Sequence, residues 1–434
     1  MTEKRIYVDY LARVEGEGAL LVKISNDRVT EVQLNIFEPP RFFEAFLRGR
    51  GCQQVVDIVA RICGICPIAY QITASRALEK AFGVVVPPGV QQLRRLIYLG
   101  EWVESHALHV YMLHAPDFLG YESAIEMAAV PELRPIVERG LRLKKIGNHM
   151  MELIGGREIH PISLCVGGFT RAPRCAELQA LLPDLEWGLE AAIETVRWAA
   201  RLDYPDFESD YVFVGLSHLD EYAIIEGSVR SSEGLNIPVE EFEQYFREEH
   251  VAHSNALHSS RTDGGGSYLV GPLARLNLNF ERLSPHARSL AKEVGLSLPL
   301  KNPFFSLVAR GLEIVHAFEE SLQLVKAYQE VRPSRGVLPQ VMNPGAGAHV
   351  TEAPRGLIYH QYQVDEKGLI ASANIVPPTS QNLRRIEDDL WQFVPEVLSL
   401  PLEEATLKCE QLVRCYDPCI SCSTHFLNLN VVRE

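Results

Sequence analysis

The stretch RICGICPIAY, residues 61–70, sets Cys63 and Cys66 three positions apart in an apolar run that meets Pro67. Such a pair serves as a redox dithiol, as half of a structural zinc site, or as two thiolate ligands of another metal. The pair alone does not choose among them. Working outward, Pro67 interrupts what otherwise reads as one helical run from Gln53 to Phe82. The spacing predicts a helix ending near Cys66 and a second one beginning there.

Length and composition bound the reading. A chain of 434 residues has room for about three domains, or for one large multi-lobed body with a sizeable core. Nine cysteines are too sparse and irregular for a secreted disulfide framework, which points to a reducing compartment and to thiols used as ligands. The expected location is the cytoplasm. The opening MTEKRIYVDYLARVEGEG has no apolar signal core, and no later run reaches the roughly 18 apolar residues that span a bilayer. A net charge of −14 argues against a nucleic-acid surface, which needs clustered Lys and Arg.

Residues 5–36 read as short strands, IYVDYLARV, ALLVKIS and VTEVQLNIF, with GEG and NDR as turns. An antiparallel β layer is expected there. FFEAFLRGR, residues 42–50, reads as a helix, and amphipathic periodicity predicts long helices near 89–115, 131–155, 176–202, 309–331 and 381–399. Between 203 and 308, Gly, Pro and Asp punctuation around YVFVGL and SYLVGPLARLNLN suggests a smaller α+β lobe. The fold class is therefore α+β and mainly helical, a central long-helix bundle with an N-terminal β layer and a second lobe. The chain is expected to form one interlocked domain over 1–434. Within it, 1–50 carries the β layer and the start of the helical body, 51–202 the bundle with the first pair, 203–308 the lobe, and 309–425 C-terminal helices with a second pair.

That second pair lies in DPCISCSTH, residues 417–425, where Cys419 and Cys422 precede His425. Zinc ribbons separate their pairs by roughly 15–20 residues, because the metal folds a local knuckle. Here Cys419 lies 353 positions beyond Cys66, so a shared metal would tie the first bundle to the chain end. Four thiolates are soft ligands for nickel, iron, zinc or copper(I).

The frames RxCGxC and DPCxxCxxH resemble the two signatures of the large, catalytic subunit of nickel-iron hydrogenases. The resemblance runs through RVEGEG at 13–18, RFFEAFLRGR at 41–50, SHALHVYMLHAPD at 105–117, GGREIHP at 155–161, GPLAR at 271–275 and EAPRG at 352–356. It covers essentially the whole chain and implies the large-subunit fold. The length and IVPPTSQN, residues 375–382, are most similar to the cytoplasmic branch that exchanges electrons with NAD(P) or a deazaflavin, including sulfhydrogenases.

The resemblance implies that Cys63 and Cys419 are terminal nickel ligands and that Cys66 and Cys422 bridge nickel to iron, the iron also carrying carbon monoxide and cyanide. Cys419 is the candidate first proton acceptor, since a metal-bound thiolate keeps a low pKa and an exposed lone pair. Glu15 matches the glutamate that passes the proton onward. On residue type alone it is a solvated hairpin carboxylate, with Glu17 as its rival. Arg355 matches an arginine whose guanidinium lies over the metals and hydrogen-bonds a cyanide, a role suited to its fixed charge and planar donors. Thr379 is a candidate donor to the other cyanide. Asp417 is a candidate partner for Arg355, although Asp-Pro is also a common turn. Some relatives carry an aspartate where this chain has Ser105, so carboxylate support around the arginine is expected to be thinner. Glu44 and His425 match ligands of a separate magnesium or iron(II) ion.

His109 and His114 read as hydrogen-bonded core histidines. GGGS at 264–267 and GAGAHV at 345–350 lack a nucleotide-loop spacing. Cys52, Cys165, Cys175, Cys409 and Cys415 form no iron-sulfur ligand run. Electrons would therefore leave through partners: by resemblance, a small subunit with iron-sulfur clusters, a diaphorase with FAD and NAD(P), and a further iron-sulfur protein in a heterotetramer. A maturation endopeptidase is expected to remove 426–434, the alternative being a retained strand. The leading function is reversible dihydrogen oxidation coupled to NAD(P), with polysulfide reduction elsewhere in the complex. The alternatives are a hydrogen-sensing protein, a deazaflavin-reducing enzyme, and a metal-free electron-transport subunit, against which the four cysteines weigh.

Overall fold

The computed structural model describes residues 3–333 and 345–424. His425 and the tail 426–434 lie outside the described residues, and so do the expectations placed on them.

The chain opens with β1 (Glu3–Val8), β2 (Gly18–Ser25) and β3 (Arg28–Ile36), paired antiparallel in that order. Asn26 and Asp27 turn between the last two with φ of 52° and 57°, the left-handed pair that a tight hairpin needs and that Asn and Asp tolerate. The apolar side chains of Leu20, Val22 and Ile24 alternate onto the inner face.

Two short helices follow, α1 (Phe43–Leu47) and α2 (Cys52–Val59), and a 3₁₀ turn, Ala60–Ile62, ends the second. The helix therefore stops before Cys63 rather than near Cys66. Cys63 is extended, with φ −140° and ψ 132°, and Cys66 is also non-helical. Proline disfavours the helical region for the residue before it, so the C-x-x-C segment stays open until Pro67 starts α3 (Pro67–Phe82) at its first helical position.

The bundle is built from α4 (Pro88–Ala107), which continues as a π-helical stretch, Leu108–His114, and α5 (Ala115–Leu119). After α6 (Ala124–Ala129) comes α7 (Arg134–Gly155), packed along α4. The two axes approach closely because Gly100 and Gly147 face each other: a Cβ at Gly147 would sit 2.6 Å from the Gly100 carbonyl oxygen. A two-residue ribbon, β4 (Leu164–Cys165) with β5 (Gly168–Phe169), leads to α8 (Cys175–Gln179) and α9 (Leu182–Ala199).

The lobe expected at 203–308 contains a three-stranded sheet of β6 (Val214–Ser217), β7 (Ser228–Ser231) and β8 (Asn236–Ile237). It adds α10 (Phe242–Tyr245), the ribbon β9 (Phe246–Glu249) with β10 (His258–Arg261), and helices α11 (Pro272–Asn279) and α12 (Pro285–Glu293). The strand-like run after GGGS makes one bridge, Phe213 to Leu269, before α11 begins. The long helix α13 (Ser306–Ala327) then packs on α9 and α4.

The C-terminal region departs from an all-helical expectation. Strands β11 (Gly345–Ala353), β12 (Gly356–Val364) and β13 (Ile370–Val376) form an antiparallel sheet before α14 (Pro378–Val397) and α15 (Leu402–Cys415). Most β11 and β12 positions are buried, so the segment lacks the alternation that marks a half-exposed strand. Helix α3 lies across this sheet. One hydrophobic cluster extends from Ile6 to Cys422.

The α3–β11 contact sets where Cys66 stands, and Gly347 makes it possible: a Cβ there would fall 2.0 Å from the Ala77 carbonyl oxygen and 2.6 Å from the Ala81 nitrogen. Backbone cannot yield as a side-chain tip can. Gly347→Ala is expected to destabilise the fold by about 1–3 kcal/mol through overpacking. Thermal unfolding followed by circular dichroism checks it, and an unchanged midpoint contradicts it.

Candidate metal centre

Helix α3 begins directly after Cys66, and its first turn leaves N–H groups without helical partners. Glu101 of α4 supplies the acceptor, taking the Ile68 N–H at 2.6 Å and the Ala69 N–H at 3.1 Å. Burial pushes this carboxyl well above the usual range, partly offset by those N–H groups. Its two bonds lock the first turn of α3 and with it the exit from the C-x-x-C segment.

The second cysteine segment follows α15. Asp417 takes φ 52°, reversing the chain so that Pro418 and Cys419 enter the core. The Cys419 N–H donates to Thr379 Oγ1 at 3.0 Å at the start of α14. The Ile420 N–H donates to the Glu15 carbonyl at 2.9 Å, tying the last 3₁₀ helix, Ile420–Thr424, to the loop between β1 and β2.

These constraints bring four sulfurs together. Cys63, Cys66, Cys419 and Cys422 are all at least 96% buried, and their Sγ atoms lie within 4.8 Å of one another. Within each pair the sulfurs are 2.7 and 2.8 Å apart; across pairs, Cys63 to Cys419 is 3.6 Å and Cys66 to Cys422 is 4.0 Å. Burial opposes ionisation of Cys63, but hydrogen bonds from the other three thiols and the charge of Arg355 hold it well below its usual value. Burial raises Cys66 and Cys422, while hydrogen bonding with its neighbours raises Cys419. Four such soft donors, closed off from water and too crowded to ionise together unaided, fit a thiophilic metal.

Around the sulfurs stand the residues singled out in the sequence. Glu15 Oε2 accepts from Cys419 Sγ at 3.0 Å and from the Ser421 N–H at 3.1 Å. Glu15 is half-buried. Its rival Glu17 is exposed, and its N–H instead meets Glu38. Arg355, in the turn between β11 and β12, donates through Nε to the Asp417 carbonyl at 2.7 Å and through Nη2 to Asp417 Oδ1 at 3.0 Å. Nη1 reaches Ser105 Oγ at 3.4 Å. The carboxylate support thus comes from Asp417, while Ser105 takes the remaining nitrogen through its hydroxyl. Asp417 Oδ2 is buried with no partner.

His109 and His114 are buried and bond the carbonyls of Arg414 and Gln411, at 2.7 and 3.2 Å, as core histidines do. Glu44 is not an exposed helix acid. It accepts the Ile375 N–H at 2.8 Å, and burial pushes its carboxyl up to about 7. Its expected companion His425 lies outside the described residues. Among the described residues, Cys52, Cys165, Cys175, Cys409 and Cys415 form no further group of metal-ligand geometry.

Three positioning residues escaped the sequence reading. Arg41 donates through Nη2 to the carbonyls of both Ile62, at 2.7 Å, and Ser421, so one guanidinium joins the two cysteine segments. Asp117 holds Arg13 and Arg414, with Arg414 Nε at 2.7 Å, which places the loop bearing Glu15 beside the helix leading to Cys419. Buried Arg275 bonds Glu313 and Glu352 and the carbonyls of Ala353 and Pro354, fixing the turn that presents Arg355. The only sequence signal was a charged residue inside a motif, which does not name its partner.

Comparison with known proteins agrees with this geometry. A family model described as nickel-dependent hydrogenase matches residues 41–133 and 259–425. Sulfhydrogenase 1 subunit alpha of Pyrococcus furiosus is 35% identical over 98% of each chain, and sulfhydrogenase 2 subunit alpha of the same organism is 36% identical over 98% of this chain and all of that one. A crystal structure of an NAD+-reducing [NiFe]-hydrogenase in the H2-reduced state superimposes with a TM-score of 0.85 at 28% identity, covering 97% of this chain and 99% of the other. With both cysteine segments inside the matched regions and four sulfurs gathered where they meet, the chain belongs to the nickel-dependent hydrogenase family.

Proposed function

We propose that this chain is the catalytic subunit of a cytoplasmic hydrogenase in which Cys63, Cys66, Cys419 and Cys422 hold nickel and iron. Its electrons pass through a partner iron-sulfur subunit to NAD(P). The observation that carries the reading is the buried set of four sulfurs within 4.8 Å, with a carboxylate bonded to one of them. When bound, the bimetallic group supplies the polarising charge for heterolytic cleavage of dihydrogen, and its carbon monoxide and cyanide ligands are groups that no side chain replaces.

The chain's own residues handle the proton. Cys419 Sγ is the first acceptor, and Glu15 Oε2, 3.0 Å away, takes the proton onward. The Ser421 N–H keeps that carboxylate aimed inward, and its partial exposure opens the other end toward water. Arg355 contributes a fixed charge and a guanidinium face suited to a cyanide nitrogen, steered by two bonds to Asp417. Thr379 accepts from the Cys419 N–H, which leaves its hydroxyl proton available for the second cyanide. Glu44 and His425 serve a magnesium or iron(II) ion near the C-terminus, whose hardness suits a carboxylate.

Acceptor and partners follow the relatives: one solved structure is named for NAD+ reduction and two relatives are sulfhydrogenase alpha subunits. The described residues hold one group of four cysteines and no second, so electrons leave through a neighbour, here a small iron-sulfur subunit and a flavin-bearing diaphorase. No described helix is long and apolar enough to cross a membrane. An endopeptidase that trims 426–434 completes the maturation.

Complex purified anaerobically from its native host should contain nickel and show infrared bands of metal-bound carbon monoxide and cyanide, and its intact mass should end at His425. Zinc alone without such bands overturns the metal assignment, and a retained Glu434 overturns the trimming.

Glu15→Gln keeps the shape but removes the exchangeable carboxylate. Hydrogen–deuterium exchange activity should fall about 100-fold or more with nickel and infrared bands unchanged, whereas Glu17→Gln should behave as the parent. Equal loss in both variants assigns the relay elsewhere.

Arg355→Lys retains the charge but loses the planar fork on Asp417. Turnover should fall about 100-fold or more with nickel retained, as expected for loss of a preorganised donor. Parent-like turnover would remove Arg355 from the machinery.

A further inference from the structure

Away from the sulfurs, a second set of ligand-type side chains converges where three elements meet. His253 lies in the loop between β9 and β10, His258 opens β10, and Glu387 stands on α14. One nitrogen or oxygen from each lies within 4.8 Å of the others. His253 Nε2 is 2.7 Å from Glu387 Oε1, and His258 Nδ1 is 3.8 Å from Glu387 Oε2. The two imidazoles meet edge to face, with centroids 5.5 Å apart.

An ordinary histidine–glutamate pair explains only part of this. His253 and the Leu34 N–H, at 2.8 Å, both bond Oε1. Oε2 instead faces an imidazole nitrogen that stands too far for a hydrogen bond. His258 is 98% buried, and its Nε2 has no hydrogen-bond partner. It is Nδ1, and not the unpartnered Nε2, that approaches the carboxylate, and no hydrogen bond accounts for that approach. Two donors on one tetrahedral metal, at bonds of about 2.0–2.1 Å, stand roughly 3.3 Å apart. The nearest approaches, 2.7 Å to Oε1 and 3.8 Å to Oε2, lie on either side of that span, and a small turn of the carboxylate brings one oxygen within reach of both imidazoles.

We propose that His253 Nε2, His258 Nδ1 and a Glu387 oxygen form a further metal site, for a zinc-class divalent cation, separate from the four sulfurs and from Glu44. Two imidazoles and a carboxylate are the borderline donor set such ions take, and thiols are not needed. The fourth position faces outward, where His253 and Glu387 keep 21% and 16% of their side-chain surface exposed, and water or a partner side chain fills it. Arg384, one turn earlier on α14, is engaged by Glu249 at 3.3 Å. Through Leu34 the site also holds β3, so the ion clasps the N-terminal sheet, the β9–β10 loop and the helix whose first turn carries Thr379.

The test compares zinc and nickel, measured by elemental analysis, in the parent complex and in His253→Ala/His258→Ala and Glu387→Gln complexes. Parent complex should hold one zinc per nickel more than the double variant, with nickel unchanged, and Glu387→Gln should lose most of that zinc although it keeps the packing. Equal zinc in all three overturns the site. Where the double variant does not accumulate, parent complex stripped of zinc and titrated with Co2+ gives the answer. Visible d–d bands that lack a thiolate charge-transfer band and are lost in Glu387→Gln support the site, and bands absent or unchanged in that variant overturn it.

Discussion

Four sulfurs packed within hydrogen-bonding and van der Waals distance inside a closed core are the constraint on which the rest of this molecule depends. Thiolates at such spacing repel, and burial raises the cost of each charge. Only one of the four, Cys63, is held well below its ordinary pKa by its surroundings. A metal would remove the conflict, and the Arg355 charge already helps to hold Cys63 down. The centre therefore stands at the edge of what protein groups alone tolerate, as expected where function, and not stability, selects the arrangement.

Holding the sulfurs in register requires two chain segments far apart in sequence to be clamped on both sides. Arg41 stitches them directly through carbonyls on each, and Asp117 draws Arg13 and Arg414 onto a single carboxylate. Arg275 fixes the β11–β12 turn through two buried carboxylates and two carbonyls while its guanidinium lies over the Trp102 ring at 4.3 Å. These are multiply bonded charges, which lose far more when one partner is removed than an exposed ion pair would. The scaffold around the site is thus polar and directional, whereas the bundle of α4, α7, α9 and α13 supplies the apolar mass behind it.

In the proposed function the proton and the electrons leave by different routes. Glu15 joins a buried sulfur to a partly exposed loop, the path along which the proposed function sends the proton. Among the described residues there is no second group of four cysteines, and the electron route belongs to the proposed partner subunits. The cluster of His253, His258 and Glu387 meets α14 at mid-helix and bears on that helix's anchoring instead of on either route.

The sequence by itself picked out the four cysteines that the fold gathers and much of the architecture. Two C-x-x-C frames, the N-terminal strands and the long helices carry local signals, because turn chemistry, apolar periodicity and proline act over a few residues. It also named Glu15, Arg355 and Thr379 by their motifs. Only the tertiary structure decided which of Glu15 and Glu17 faces the sulfur, that Asp417, a candidate in the sequence, does pair with Arg355, and that Arg41, Asp117, Glu101 and Arg275 hold the frame. It also revealed the sheet at 345–376, hidden because strands buried on both faces have no period to read. In each case the deciding contact joins residues remote in the chain, and the partner of a buried charge is a property of the packed fold.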